Sequence, residues 1–131
     1  MTGFGAQHRY YLYRGAADMR KSFDGLSGLV RNELGRDPMD GEVYIFLNRQ
    51  RSLIKMLVWD RSGWALWSKR LERGSYELPR GEGTGMMLRW SDLMLILEGI
   101  SLRSVRHRRR YSVEENSRKK VELSTKKAGV S

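Results

Sequence analysis

The chain has 131 residues, with 25 Lys and Arg against 15 Asp and Glu, two His and no Cys. This length fits one compact domain, and the missing Cys excludes disulfides, a thiolate nucleophile and Cys-ligated zinc. No apolar run reaches the roughly 18 residues that span a bilayer, and no secretion signal opens the chain, so we expect a cytoplasmic protein without a membrane partner. The net charge of +10 favours a polyanionic partner, nucleic acid first.

A strand and a helix come first in chain order. The aromatic and aliphatic run Arg9 to Arg14 predicts a short strand. Beyond it, apolar residues recur at steps of four, three, four and four, which predicts the main helix, with Asp18 as its N-cap and Gly35 as its stop. The apolar residues of this pattern are Met19, Phe23, Leu26, Val30 and Leu34.

Three further strands follow, at Val43 to Leu47, Leu53 to Trp59 and Trp64 to Trp67. The linkers between them are hairpin-sized and rich in turn formers, so we expect an antiparallel meander. In the second of these strands, one face is continuously apolar, and we expect that face to lie on the main helix. Its members are Ile54, Met56 and Val58.

The last part of the domain is predicted to contain a short strand at Ser75 to Leu78, a loop at Arg80 to Gly85 and an extended segment at Met86 to Leu88. A short helix with Ser91 as its N-cap then runs through Glu98 and is ended by Gly99. The predicted fold class is α+β: a small antiparallel β-meander packed on one main α-helix, with a second short helix. We place a single compact domain at residues 1–102 and a tail at residues 103–131.

The tail carries most of the charge. It has ten Lys and Arg against three Glu, whereas residues 1–102 have fifteen basic and twelve acidic residues. Its apolar residues are isolated, so burial cannot offset the entropy of ordering it. We therefore predict a disordered basic tail.

A mixture of basic and aromatic residues gives the candidate DNA-binding surface, because basic side chains bind phosphates and flat rings stack on bases. The rings considered are Trp59 and Trp67, for which core packing is the alternative. The candidate basic residues are Arg20, Lys21, Arg49, Arg51, Lys55, Lys69, Arg70, Arg73, Arg106, Arg108, Arg109 and Arg110.

Other chemistries have less support. The Gly-rich loop lacks the spacing of a phosphate-binding loop, and His8 and His107 have no recognisable catalytic partner. We predict no catalytic residue, no metal site and no cofactor. A small metal-dependent nuclease stays open as an alternative, because carboxylates can pair to hold Mg²⁺. The carboxylates in question are Asp18, Asp24, Asp37, Asp40, Asp60 and Glu72.

Several segments together resemble a known family. They are residues 18–26, Asp37-Pro38, Gly41, residues 43–49, residues 55–60 and residues 66–74. In this order and spacing they resemble the second-frame accessory proteins of the IS-sixty-six (IS66) group of bacterial insertion sequences, often labelled TnpB. The chain does not resemble the RNA-guided nuclease of the same name. Ser22 and Ser68 depart from the usual family pattern.

This resemblance implies an accessory protein for DNA transposition and recombination that assists a transposase without being the catalyst. We expect it to bind element DNA, the cognate transposase, or both. A protein-interaction adaptor whose tail alone contacts DNA, without sequence preference, is the alternative. The oligomeric state stays open.

Overall fold

The structure, a computed structural model, describes residues 4–101. The predicted disordered tail, with Arg106 to Arg110, lies outside the described residues. The elements in chain order are β1 (Tyr10–Ala16), α1 (Phe23–Asn32), β2 (Val43–Leu47), β3 (Leu53–Asp60), β4 (Gly63–Arg70), β5 (Ser75–Tyr76), β6 (Gly85–Leu88), α2 (Trp90–Glu98) and β7 (Ile100–Ser101).

Five strands form the main sheet, in the order β4-β3-β2-β1-β6. Strands β2, β3 and β4 make the predicted antiparallel meander. Strand β1 pairs parallel to β2, so the sheet is mixed, and α1 provides the crossover that a parallel pair requires. Strands β5 and β7 form a separate two-stranded sheet. The α+β class is confirmed.

Both faces of the sheet are covered. Every residue of the central strand β2 is buried, which requires a packed layer on each side. On one face, Leu26 and Val30 of α1 pack with Leu57 of β3. On the other, Leu93 and Ile96 of α2 belong to the cluster that contains the Ile54, Met56 and Val58 face of β3.

The predicted pairing of faces was therefore wrong, because α1 covers the Leu57 face of β3. Lys55 made that face look solvent-exposed in the sequence. A period of two residues assigns side chains to faces, but it does not tell which helix covers a face when both carry apolar residues.

The ends of the helices also differ in part from the prediction. Helix α1 begins at Phe23 with Ser22 as N-cap, so Arg20 precedes the helix and does not lie in its first turn. The Asp18 carboxylate instead accepts a hydrogen bond from the backbone N–H of Arg20 at 3.0 Å. At the other end, α1 stops at Asn32 with Glu33 as C-cap, so Gly35, with φ +63°, lies two residues beyond the C-cap and is not the predicted stop.

Helix α2 has Arg89 as N-cap, where the sequence had suggested Ser91. The Asp92 carboxylate accepts the Arg89 N–H at 3.0 Å, so an acidic residue in the first turn completes the cap. Gly99 ends the helix as predicted. None of the helices within residues 4–101 is long and apolar enough to cross a membrane.

Candidate nucleic-acid interface

Three chain segments meet at one end of the sheet. Because β1 and β2 run parallel, their C-terminal ends lie on the same side, and the antiparallel pairs β2–β3 and β3–β4 bring the end of β4 there too. We call residues 18–21, 48–55 and 69–73 together the basic end. The sequence had proposed DNA-binding residues in each of these segments separately, and the topology places the segments side by side.

Backbone contacts hold the segments together. The N–H of Leu71 donates to the carbonyl of Ser52 at 2.7 Å, and the N–H of Tyr76 donates to the carbonyl of Arg51 at 2.8 Å. On the other side, the Lys55 ammonium donates to the carbonyls of Met19 at 2.9 Å and Lys21 at 3.2 Å. The β1–α1 loop is thereby fixed to β3.

The β2–β3 turn is organised by Asn48. Its side-chain oxygen accepts the N–H groups of Ser52 at 2.8 Å and Leu53 at 3.0 Å. These bonds stabilise a turn in which Arg51 has φ +58°, a conformation that is uncommon for a residue with a side chain. Arg49 consequently lies exposed at the tip.

The charge of the described residues is divided unevenly. The basic end contains eight Lys and Arg against two acidic residues, Asp18 and Glu72. The rest of residues 4–101 contains seven basic and ten acidic residues. The small positive charge of the domain therefore combines a strongly basic end with a mildly acidic remainder, which creates the directed field that attracts polyanions.

The basic side chains at this end are not equivalent. The Arg20 guanidinium forms a two-pronged pair with Asp18, at 2.8 and 3.0 Å, and these hydrogen bonds lower the pKa of the Asp18 carboxyl. The Lys55 ammonium is engaged by two carbonyls, as described above. Of the other predicted cations, those exposed to solvent are Arg49, Lys69, Arg70 and Arg73.

Lys21 is only partly exposed, and its aliphatic stem lies against the first turn of α1. A Cβ atom at Gly25 would lie 2.8 Å from the Lys21 Cβ, so glycine allows this close approach. Packing therefore holds the stem in place. The segment that precedes α1 is fixed by contacts with both the helix and β3.

The two tryptophans considered in the sequence lie on opposite faces of the sheet. Trp67 packs against the α2-side core, as the core alternative expects. Trp59 pairs instead with Trp64 across the β3–β4 turn, with ring centroids 5.0 Å apart and an interplanar angle of 72°. This pair was not predicted from the sequence. A two-residue hairpin turn between Asp60 and Gly63 was the signal for it.

The other end of the sheet has a compact network of ion pairs and hydrogen bonds. The Glu42 carboxylate contacts Arg36 at 2.7 Å and Arg9 at 3.6 Å. The Tyr44 hydroxyl donates to Asp40 at 2.8 Å, and burial raises the pKa of this phenol. We call these five residues the network end. The sequence did not predict this network, because its side chains come from separate segments of the chain and nothing local reveals that they meet.

No group of three or more His, Cys, Asp or Glu side chains with metal-binding geometry occurs within residues 4–101. Three of the carboxylates considered for Mg²⁺ make local hydrogen bonds. Asp18 binds Arg20, Asp37 accepts the Met39 N–H at 3.0 Å, and Asp40 accepts the Glu42 N–H at 2.9 Å. These side chains stabilise turns.

Comparison with known proteins identifies the family of the chain. Residues 8–107 match the family described as IS66 Orf2 like protein. The chain belongs to this family. It is 34% identical over 103 residues to the uncharacterized protein y4hO of Sinorhizobium fredii, covering 79% of this chain and 90% of that protein. It is 26% identical over 91 residues to the uncharacterized protein y4jC of the same organism, covering 70% and 78%.

No solved structure matches the chain. The resemblance seen in the sequence is confirmed, and the IS66 Orf2-like family suggests an accessory role in transposition. Four of the resembling segments, residues 18–26, 43–49, 55–60 and 66–74, overlap the basic end. The segment with Asp37, Pro38 and Gly41 belongs to the turn beside the network end.

Proposed function

We propose that this protein is an accessory factor for transposition of an IS66-type insertion sequence that binds DNA through its basic end and is not itself the catalytic transposase. The observation that carries the proposal is the convergence of exposed cations from separate segments on one end of the sheet. Those cations are Arg49, Lys69, Arg70 and Arg73.

Electrostatics supports DNA as the partner. Basic side chains that contact phosphates release condensed counterions, so affinity falls steeply with salt. Phosphate contacts position a protein on DNA without reading its sequence. A basic end on an otherwise mildly acidic domain also orients the protein toward DNA before contact. The proposed binding is therefore salt-dependent and directional.

The test is a salt titration of DNA binding by the full chain and by a triple variant, Arg49→Gln, Arg70→Gln and Arg73→Gln. Fluorescence anisotropy of a labelled duplex reports affinity from low to moderate salt. On duplex DNA, each lost phosphate contact reduces the magnitude of the slope of log K against log salt by about 0.9. The slope of the triple variant is therefore expected to be smaller in magnitude by about 2 to 3. Circular dichroism checks that it is folded.

A matched control removes the same charge from the opposite end of the sheet. Arg9, Arg31 and Arg89 are all exposed, and they lie at the start of β1, the end of α1 and the end of β6. Because Arg9 also contacts Glu42 and Arg89 contacts Asp92, thermal melting checks that this variant is folded. Their triple Gln variant is expected to keep the salt slope of the natural protein. Equal losses in both variants contradict a localised site, and an unchanged slope in the basic-end variant rejects the proposal.

A truncation after Leu102 separates this proposal from the adaptor alternative. Residues 103–131 are expected to add salt-dependent affinity, because they carry ten basic residues. The truncated chain is nevertheless expected to retain binding that depends on Arg70. Complete loss of DNA binding, with capture of the transposase preserved, favours the adaptor instead.

A comparison of element ends with random DNA of equal length then measures sequence preference. Equal affinity for both indicates phosphate contacts alone.

A further inference from the structure

We infer that the DNA bound by this protein is single-stranded, held along the outer part of the α1-side face between the Trp59–Trp64 pair and the basic end. The inference rests on the proposed function and adds to it a strand form and a second contact region. Single-strand sites combine stacking rings with a basic groove, and this face carries both.

The register of β3 and β4 puts the required side chains on one face. Opposite pairs share a face, so Trp59 with Trp64 and Leu57 with Leu66 lie on the side covered by α1. Alternation along β4 then places Ser68 and Arg70 on the same side. Strand β4 is an edge strand of the sheet, so no further strand lies on its outer side.

The two tryptophans are placed for contact with bases. Both are partly exposed, in contrast to the residues of β2. Trp64 packs on the α1-side core, whereas Trp59 belongs to neither core cluster and has Trp64 as its ring partner. A T-shaped pair presents one ring face and one ring edge. The adjoining turn carries the exposed Asp60 and Arg61, whose charges balance, so the rings themselves are the expected contact with bases.

Distance sets the length of strand that fits. Trp64 and Arg70 are six residues apart along β4, which is about 20 Å at about 3.3 Å per residue. Single-strand sites in other proteins cover about 4 to 16 nucleotides, so one strand several nucleotides long can reach both contact regions. Stacked duplex bases cannot lie on the rings without unstacking, which makes the ring contacts selective for single strands.

The experiment compares labelled oligo-dT of 4 and 12 nucleotides with a 12-base-pair duplex, using the full chain at one fixed salt concentration. The 12-mer is expected to bind more tightly than both the 4-mer and the duplex. Trp59→Leu is expected to weaken 12-mer binding about tenfold, because stacking of one base on a ring contributes roughly that much. Its affinity for the duplex is expected to stay within about twofold.

Trp67→Leu is the matched control, since it removes the same ring from the opposite face of β4. It is expected to keep the preference for the 12-mer. Trp64→Leu serves as a second variant with thermal melting alongside, and if it unfolds, Trp59→Leu alone decides. A Trp59→Leu protein that binds the 12-mer as well as the natural protein overturns the inference.

Failure of this inference differs from failure of the proposed function. Suppose that the tryptophan variants keep the affinity of the natural protein for the 12-mer, while Arg49→Gln, Arg70→Gln and Arg73→Gln reduce the salt slope. DNA binding is then supported and the single-strand assignment is wrong. If neither set of variants changes binding, both are wrong. A duplex bound as tightly as the 12-mer also rejects the strand preference.

Discussion

The two ends of the sheet use charged residues in opposite ways. At the network end, Glu42 joins Arg9 and Arg36, and the Tyr44 hydroxyl is bonded to Asp40, so these charges are engaged within the fold. At the basic end, cations outnumber carboxylates and several are exposed. The comparison teaches that total charge says little about function. What matters is whether a charged group already has a protein partner.

The largest expected effect is on stability at the network end. Glu42→Gln removes a carboxylate whose side chain is only 11% exposed and leaves Arg36 without its 2.7 Å partner. We expect the free energy of unfolding to fall by about 2–3 kcal/mol, because the partly buried Arg36 loses its carboxylate partner and keeps only the Tyr44 hydroxyl and the Tyr11 ring. Urea denaturation followed by tryptophan fluorescence measures it.

Glu72→Gln is the matched control, because Glu72 is exposed at the basic end. We expect this substitution to change the free energy of unfolding by less than about 0.5 kcal/mol. Equal losses in the two variants would show that the ends do not differ in the way described.

An intermediate effect is expected at Lys55, a member of the basic end whose charge is used inside the fold. Lys55→Met keeps the length of the side chain but removes two hydrogen bonds from an ammonium to backbone carbonyls. We expect a loss of about 1–3 kcal/mol in unfolding free energy, since hydrogen bonds to charged groups contribute more than neutral ones.

Lys69→Met, an exposed lysine on the neighbouring strand, is the comparison. It is expected to leave stability unchanged within about 0.5 kcal/mol and to reduce the salt slope for duplex binding by about 0.9. The Lys55 variant is expected to show the reverse pattern. A Lys55→Met protein of unchanged stability and reduced salt slope would return Lys55 to the set of phosphate contacts.

The smallest expected effect concerns Asp18. Its pKa is lowered by hydrogen bonds from Arg20, so its carboxylate stabilises the folded state above its ordinary titration range, and this contribution is lost as the pH falls toward the lowered pKa. Asp18→Asn should therefore be slightly less stable than the natural protein at pH 7. The difference in thermal midpoint should close in acid.

Both partners of this pair face solvent, which keeps the effect on stability small. The same substitution also releases the Arg20 guanidinium, so the salt slope of DNA binding is expected to steepen. A stability difference that widens as the pH falls contradicts this account of the pair.

Local patterns predicted much of the fold correctly. The limits of β2 follow from a run of five apolar residues between turn formers, and those of β3 from the two hairpin-sized linkers. Gly99 ends α2 as predicted, whereas α1 ends at Asn32 with Glu33 as C-cap, before the predicted stop at Gly35. The start of α1 was misplaced, since Asp18 fits both an N-cap and a local turn that binds Arg20.

The sequence by itself determined most of the helices and strands, the α+β class, the family and the concentration of charge in residues 103–131, although it did not predict β7. Only the tertiary structure decided that β1 pairs parallel to β2, and so which basic segments share an end. It also decided that the Lys55 ammonium binds a backbone carbonyl, that Arg20 pairs with Asp18, and that the ring of Trp59 packs on that of Trp64. The physical reason is that propensity and periodicity act within a few residues, whereas strand pairing and side-chain partners depend on contacts between residues far apart in the chain.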